Sequence, residues 1–266
     1  MLSEVFYHPL EDGPEYVRRG CCQFAAFTAR APGKESDNED CAGWIRLPED
    51  RWVFMVADGL GGLPLGATAS RTAIENILSR LQAVSPGEDA RGAILDGIDI
   101  ANEQILRSGN GGATTLVLAE FSSQGVRPYH IGDSTILVSG QRGAIKYQSV
   151  SHSPTGYLEE AGMLDEAQAM LHEERHIVSN VLGSNEMRLE IGPLIPVARF
   201  DTILLASDGL RDNLNQSTVI ANIRSGKLDN AVQGLGNLCR GTMVDDATGH
   251  PGHPDDLTIL AVRRNK

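Results

Sequence analysis

Aspartates stand at the ends of several short apolar runs in this sequence. Asp58, Asp133 and Asp208 follow three such runs, whereas Asp255 and Asp256 directly precede a fourth. If the runs are β-strands, a strand that ends in Asp and an antiparallel partner that begins with Asp present both carboxylates at one edge of the sheet. Carboxylates a few Å apart repel one another, so they either take up protons or bind hard cations. The pattern predicts a divalent-metal site.

For each Asp-Gly pair the alternative is an ordinary turn. Turns favour Asp and Gly, so one such pair after a strand indicates no chemistry. The segment Asp58-Gly59-Leu60-Gly61-Gly62 is more than a turn requires, and so is the doubled acid at 255–256. The glycines of the Asp58–Gly62 segment also leave room for backbone carbonyls to coordinate an ion. Together the acids favour a metal site, but they do not by themselves indicate phosphate.

The elements that position these acids follow from hydrophobic periodicity. Apolar residues spaced i, i+3, i+4 and i+7 predict helices at 67–84 and 88–107, and a weaker helix is predicted at 229–240. Short connections at 122–125 and 132–134 favour antiparallel hairpins. Strands and helices that come in runs rather than in strict alternation predict an α+β fold. The predicted strands span 52–57, 114–120, 126–131, 135–139, 202–206 and 257–262.

Composition and charge exclude several classes of protein. The chain has 266 residues with a formal net charge of −12, which disfavours a nucleic-acid partner. It contains no run of about 18 apolar residues and no signal-peptide pattern, so we expect a cytoplasmic protein that does not bind a membrane. The four cysteines lack the spacing of a zinc site or a disulfide framework and indicate reduced thiols.

Six short motifs occur in order along the chain and resemble those of a known family. They are Asp37-Asn38-Glu39-Asp40, Val56-Ala57-Asp58-Gly59-Leu60-Gly61-Gly62, Gly112-Ala113-Thr114-Thr115, His130-Ile131-Gly132-Asp133-Ser134, Ser207-Asp208-Gly209-Leu210-Arg211-Asp212 and Asp255-Asp256-Leu257-Thr258. In this order they are similar to the metal-dependent Ser/Thr protein phosphatases (the PPM or type 2C family) in their compact bacterial form. One motif would be weak, whereas six in sequence over most of the chain are specific.

The resemblance implies a fold and a metal site. The fold is a four-layer α-β-β-α sandwich of two antiparallel sheets flanked by helices, with two Mn²⁺ or Mg²⁺ ions at one edge. Asp58 would bridge both ions, Asp208 and Asp255 would complete the catalytic set, and Asp133 would belong to a third, weaker site. The implied metal ligands are Glu39, Asp40, Asp58, the carbonyl of Gly59, Asp133, Asp208 and Asp255, with Asp212 nearby.

The resemblance also implies an activity and partners. A metal-activated water would hydrolyse phosphoserine and phosphothreonine esters of proteins without a phosphoenzyme. The substrate would be a phosphoprotein and the partner system a Ser/Thr kinase that the phosphatase opposes. We expect a monomer with one catalytic domain over residues 1–266, in which about 151–185 forms a flap beside the site.

Two other functions stay open at this point. One is a phosphatase-like regulatory or binding module whose catalysis has weakened, and the other is a hydrolase of small phosphorylated metabolites that uses the same site. A covalent cysteine mechanism is disfavoured because none of the cysteines lies in a Cys-x5-Arg loop. A test of metal-dependent hydrolysis separates the first alternative from an enzyme.

Several positions depart from the family pattern. The family's phosphate-binding Arg is replaced by Glu35, so Lys34, one residue earlier, is predicted to bind substrate phosphate as a point charge. The alternative for Lys34 is a solvated loop charge. Asp256 stands where the family has Asn. Leu60 stands where some members have a His proposed as general acid, which leaves His130 and His152 as candidates, although a structural role is favoured for His130.

Overall fold

The structure is a computed structural model that describes residues 2–8, 10, 13–60, 65–244 and 252–265. Gly61 and Gly62 of the sequence analysis lie outside these residues. The strands are β1 (Leu2–Phe6), β2 (Glu15–Arg19), β3 (Cys22–Ala29), β4 (Cys41–Leu47), β5 (Arg51–Ala57), β6 (Gly59–Leu60), β7 (Ala113–Thr114), β8 (Leu116–Ser122), β9 (Gly125–Ile131), β10 (Thr135–Ser139), β11 (Ile145–Gln148), β12 (Glu190–Ile191), β13 (Thr202–Ala206) and β14 (Leu257–Arg264). The helices are α1 (Leu65–Leu81), α2 (Ala90–Ser108), α3 (Pro154–Glu160), α4 (Glu166–Met170), α5 (Asp208–Arg211), α6 (Gln216–Ile223) and α7 (Leu228–Val244).

Within the described residues the strands form two large sheets. The first has the order β1-β4-β5-β8-β9-β12 and the second the order β11-β10-β13-β14-β3-β2. Every pairing in both sheets is antiparallel. The short strands β6 and β7 pair with each other beside the first sheet.

Apolar side chains fill three layers. Between the sheets lie aromatic residues such as Phe24, Trp52 and Phe54, together with aliphatic residues of β13 and β14. Helices α1 and α2 cover the outer face of the first sheet, and α6 and α7 cover that of the second. The helices and sheets therefore stack as α-β-β-α, because each sheet must bury both of its faces. The predicted α+β four-layer sandwich is confirmed.

The predicted helices agree with the structure to within a few residues. Gly109 caps α2 with a left-handed φ of 62°. Gly236 of helix α7 lies directly against Phe27, since a Cβ at this position would lie 2.8 Å from the Phe27 ring. The glycine therefore brings the helix close to β3, which outweighs its low helix propensity.

The predicted hairpin at 132–134 is wrong. Strand β9 lies in the first sheet, whereas β10 pairs with β13 and β11 in the second. Gly132 makes the crossing with a φ of +101°, at a point where a Cβ would lie 2.7 Å from the Thr115 side chain. The other short connection, 122–125, does join the antiparallel pair β8 and β9.

Two central strands, β3 and β4, were not predicted. Strand β3 is rich in alanine, which lacks the β-branched signal, and β4 is interrupted by Gly43 and Arg46. A Cβ at Gly43 would lie 2.8 Å from Ile74, so this glycine lets α1 pack closely on the sheet. No helix among the described residues is long and apolar enough to cross a membrane.

Candidate metal centre

Strand register places acids from both sheets at one edge of the sandwich. In the first sheet Cys41 of β4 pairs with Ala57 of β5, so Asp40 and Asp58 leave that edge side by side. In the second sheet β13 and β14 pair Ala206 with Ile259, which places Asp208 near the start of β14. Asp255 and Asp256 precede that strand directly. The sequence prediction that antiparallel strands bring these carboxylates together therefore agrees with the structure.

Two threonines hold the backbone of Asp58. Its carbonyl accepts hydrogen bonds from Thr114 Oγ1 at 2.7 Å and from the N–H of Thr115 at 2.8 Å. The N–H of Asp58 donates to Thr115 Oγ1 at 3.0 Å, and that hydroxyl also bonds Ser134 Oγ at 2.7 Å. Motif residues from three segments thus fix the direction in which Asp58 leaves its strand.

A buried polar network holds Asp40. Ser207 Oγ donates to Asp40 Oδ2 at 2.8 Å and accepts from the N–H of Thr258 at 2.9 Å. The N–H of Asp40 donates to Asn38 Oδ1 at 2.9 Å, and the amide of Asn38 donates to Thr28 Oγ1 at 2.8 Å. Thr28 and Thr258 then bond each other across the second sheet at 3.0 Å. The network links the first motif to the last two.

The gathered carboxyls perturb one another strongly. Burial first, then the neighbouring Asp208, Asp40 and Asp255, raises the pKa of Asp58 well above its ordinary value. Burial and Asp208 raise the pKa of Asp133 to about 8. Asp58 shares a side-chain hydrogen bond with Asp208, whose pKa is also raised by burial. Without a cation, part of this cluster therefore holds protons near neutral pH.

Asp40, Asp212 and Asp255 belong to the same electrostatic cluster. Burial followed by Asp256 raises the pKa of Asp40, and burial followed by Asp208 and Asp133 raises that of Asp212. Asp255 as a residue lies at the exposed rim, yet its carboxyl group faces the cluster, and the burial of that group followed by the charge of Asp208 raises its pKa to about 7. Asp212, only a neighbour in the sequence analysis, thus lies among the acids.

The cluster has the donor chemistry of a hard divalent cation. Four of its carboxylate oxygens are buried without a hydrogen-bond partner among the described residues: Glu39 Oε1, Asp40 Oδ1, Asp133 Oδ1 and Asp208 Oδ1. Buried oxygens of this kind are costly unless a proton or a cation satisfies them. Mg²⁺ and Mn²⁺ prefer carboxylate oxygens, so these residues fit such an ion.

The backbone at Gly59 is crowded. A Cβ at Gly59 would lie 2.2 Å from the carbonyl oxygen of Gly66 and 2.7 Å from that of Glu39. Only glycine permits this approach between β6 and the first turn of α1. The side chain of Glu39 also faces this turn, because a Cβ at Gly66 would lie 2.5 Å from Glu39 Oε1.

Lys34 lies between two carboxylates. Its Nζ is 2.9 Å from Glu39 Oε2 and 2.6 Å from Asp256 Oδ2. Burial is the largest single effect and would lower the pKa of Lys34. The hydrogen bonds and charges of Asp256 and Glu39 together outweigh it, so the pKa of Lys34 is raised. Lys34 is therefore more than a solvated loop charge, and two of its three ammonium protons already have acceptors.

A cavity of about 230 Å³ opens beside the cluster and is lined in part by residues of 151–185, the segment predicted to form a flap and called the flap here. Asp133, Asp208 and Asp212 line it from the cluster, and Arg175 with residues of α3 and α4 lines it from the flap. Arg211, at the end of α5, lines it as well. Neither arginine was predicted to have a role in the site. Arg211 lies within the fifth motif, whereas Arg175 is a lone cation without an informative spacing, so no pattern in the sequence could have identified Arg175.

His130 and His152 form a separate buried group with Glu190. Their ligand atoms lie within 4.8 Å of one another, which is close enough for an ion. However, the N–H of Gly132 donates to His152 Nδ1, so the proton of that ring lies on Nε2, which faces Glu190. His130 Nε2 bonds the carbonyl of Val150 at 2.8 Å. These bonds favour a structural role for both rings.

Comparisons with known proteins agree with this geometry. A family model described as protein phosphatase 2C matches residues 31–225. "Serine/threonine phosphatase stp" of Listeria welshimeri is 27% identical over 238 residues, which cover 86% of this chain and 90% of that protein.

Solved structures show the same fold. The serine/threonine phosphatase of S. agalactiae superposes with a TM-score of 0.77 at 22% identity, over 92% of this chain and 100% of that one. The catalytic domain of the serine threonine protein phosphatase PstP, solved with 2 manganese ions, gives a TM-score of 0.71 at 22% identity, over 92% and 99% of the two chains. The resemblance read from six motifs is confirmed, since the family model alone spans well over half of the chain. This chain belongs to the protein phosphatase 2C family.

Proposed function

We propose that this protein is a Mn²⁺- or Mg²⁺-dependent phosphatase that hydrolyses phosphoserine and phosphothreonine in proteins. The observation that carries the proposal is the carboxylate cluster at the sandwich edge, with four buried oxygens that lack a hydrogen-bond partner among the described residues. The proposal is also supported by three findings. The chain belongs to the protein phosphatase 2C family, its relative in Listeria welshimeri is named a serine/threonine phosphatase, and PstP was solved with manganese ions.

The proposed ligands follow from the placement of the acids. Asp58 lies between the acids of the two sheets and is proposed to bridge two ions, with the Gly59 carbonyl beside it. Asp208 and Asp255 would hold the first ion, with Asp40 and Glu39 next to it. Asp133, together with Asp208, would hold a third and weaker ion, because burial and Asp208 dominate its environment.

Bound Mn²⁺ or Mg²⁺ supplies Lewis acidity, which lowers the pKa of water and neutralises charge on phosphoryl oxygens. The protein's own residues supply position. Thr114 and Thr115 hold the Asp58 backbone, and Ser207 holds the carboxylate of Asp40. Such hydrogen-bonded support keeps ligands in place before the substrate arrives.

The binding of substrate phosphate by Lys34 stays a prediction. The ammonium group donates to Glu39 and Asp256, so one N–H remains for a phosphate oxygen. The regulatory module without catalysis is not favoured, because the named relatives are phosphatases and the acids of the cluster are retained. A hydrolase of small metabolites would use the same cluster and differ only in the surface around it.

The setting of the protein is proposed from composition and fold. We propose one catalytic domain over residues 1–266, a monomer in the cytoplasm, that opposes a Ser/Thr kinase. The four cysteines are free thiols, which fits a reducing compartment. The net charge of −12 disfavours nucleic acid as a partner.

The test is hydrolysis of p-nitrophenyl phosphate and of a phosphothreonine peptide with Mn²⁺, Mg²⁺ or EDTA. We expect metal-dependent turnover that falls about a thousandfold or more in Asp58→Asn, because the bridging carboxylate is lost. Asp99→Asn, an exposed residue of α2, is the matched control and should retain full activity. Turnover that persists in EDTA, or that Asp58→Asn leaves intact, contradicts the proposal.

A further inference from the structure

A phosphate group that enters the cavity beside the cluster meets a strongly acidic wall. Asp133, Asp208 and Asp212 line that wall, and Glu159, Glu160 and Glu166 line the flap side. Among the described residues, the cations that line this cavity are Arg175 and Arg211, whereas Lys34 lines a different cavity and reaches the acids at Asp256. These three cations differ in the partners that they already have.

Lys34 and Arg211 are already paired with carboxylates. Lys34 Nζ lies within 2.9 Å of Glu39 and 2.6 Å of Asp256. Arg211 Nη2 lies 3.1 Å from Glu166 Oε1 and 3.8 Å from Glu159 Oε1. To grip a phosphate, either cation would have to weaken ion pairs that are half-buried or buried, at a cost in free energy.

Arg175 differs from both because it has no carboxylate within 4.0 Å in the described part of the chain. Its Nη1 donates to the carbonyl of His172 at 3.4 Å, and its Nη2 contacts the ring of His253, which carries no negative charge to neutralise it. The guanidinium has five N–H donors, so several stay free. The residue is half-buried and lines the cavity that contains Asp133, Asp208 and Asp212.

The position of Arg175 joins the flap to the metal centre. His253, which it contacts, lies two residues before Asp255, and Arg175 is near enough to Asp212 to oppose the rise in that carboxyl's pKa. A free planar guanidinium matches two oxygens of a phosphate at once, which an ammonium point charge cannot do. A positive charge held there would also offset the repulsion between a dianionic phosphate and the acidic wall.

We propose that Arg175, from the flap, is the main cation that binds the phosphoryl group of the substrate and that Lys34 contributes less. This inference rests on the proposed function and adds a substrate-binding residue that lies outside the six motifs. It also gives the flap a direct part in substrate binding. The phosphate is held between Arg175 on the flap side and the metal centre on the sheet side.

The test compares four variants of the full chain: Arg175→Met, Arg175→Lys, Lys34→Met and Arg211→Met. Calorimetry measures the binding of inorganic phosphate to Mn²⁺-loaded protein, which needs no turnover, and steady-state kinetics give KM and kcat for p-nitrophenyl phosphate. We expect Arg175→Met to weaken phosphate binding and raise KM about tenfold or more, because a charge-assisted contact is lost. Arg175→Lys should recover part of this loss, and Lys34→Met should change phosphate affinity less than about threefold.

The controls are Mn²⁺ affinity and thermal unfolding in EDTA, both of which should be the same in Arg175→Met as in the wild type. The inference is overturned if Arg175→Met keeps a phosphate affinity within about twofold of the wild type, or if Lys34→Met loses more affinity than Arg175→Met. In either case, hydrolysis by the wild type would still support the proposed function. A wild type that binds phosphate through Arg175 but hydrolyses nothing supports the inference and contradicts the proposed function. A wild type that does neither contradicts both.

Discussion

At the scale of single residues, Asp256 organises the loop that carries the first motif. Its carboxylate accepts hydrogen bonds from the N–H of Ala31 at 2.8 Å, the N–H of Glu39 at 2.7 Å and Lys34 Nζ at 2.6 Å. The Asp256 side chain is only 4% exposed, so its charge requires the lysine. The Lys34 and Asp256 departures from the family pattern are therefore one coupled change and not two independent ones.

The coupling predicts a non-additive pair of substitutions. Lys34→Met should lower the free energy of unfolding of the metal-free protein by about 1–3 kcal/mol, because a buried carboxylate loses its cation. Lys34→Met/Asp256→Asn should be more stable than Lys34→Met alone, since the neutral amide oxygen still accepts from the loop. Urea unfolding in EDTA of the wild type, both single variants and the double variant gives the coupling free energy. Strictly additive losses would contradict the pairing.

At the scale of elements, the flap is attached to the metal centre through α5. This short helix begins at Asp208 and ends at Arg211, whose guanidinium pairs with Glu159 of α3 and Glu166 of α4. Glu166 Oε1 also accepts the N–H of Gln216 at 2.6 Å, at the start of α6. The two flap helices have few buried residues of their own, so these polar contacts hold them in place.

Removing this attachment should affect large substrates most. Arg211→Met is expected to increase hydrogen exchange over residues 151–185 and to reduce turnover of a phosphoprotein several-fold more than that of p-nitrophenyl phosphate, because a phosphoprotein contacts the flap over a wider surface than the phosphoryl group alone. Arg107→Met, which breaks the exposed ion pair between Arg107 and Glu103 within α2, is the matched control. Equal losses on both substrates would argue against a role of the flap in substrate selection.

At the scale of the whole molecule, the edge where the two sheets meet concentrates negative charge. Strand ends from both sheets deliver their acids to this edge, and the pKa values of Asp133 and Asp255 rise to about 8 and about 7. A carboxyl whose pKa is raised by folding binds its proton more tightly in the folded state. Its contribution therefore favours folding at low pH and is lost as the pH rises from the unfolded value of 3.8 through the folded value.

Metal-free protein should accordingly become less stable between pH 5 and pH 8. Thermal unfolding in EDTA is expected to show a falling melting temperature over this range, and Asp133→Asn should flatten the fall because one raised carboxyl is removed. The exposed substitution Asp99→Asn should leave the slope as it is. Saturating Mn²⁺, at about 100 times its Kd, should add about 2.7 kcal/mol per site and reverse the trend at pH 8. A melting temperature in EDTA that rises toward pH 8 would count against the crowded carboxyls.

Much of the fold was predictable because its signals are local. The periodicity of α1 and α2 and the apolar runs of β10 and β13 are properties of adjacent residues, and the structure places all four within a few positions. The placement of Asp58 and Asp208 after strands also follows from local sequence. Strand β3 gave no such signal, because its alanines are buried by tertiary packing and not by β-propensity.

The sequence by itself determined the family, the sandwich and the acids that line one edge of it. Tertiary structure alone decided which charges are neutralised. Lys34 meets Asp256, 222 residues away, and Arg211 meets acids of the flap, whereas Arg175 has no carboxylate within 4.0 Å in the described part of the chain. The crossing at 132–134 was likewise decided by long-range strand pairing. The physical reason is that spacing along the chain fixes local conformation, while ion pairing depends on distances between segments that only the folded core brings together.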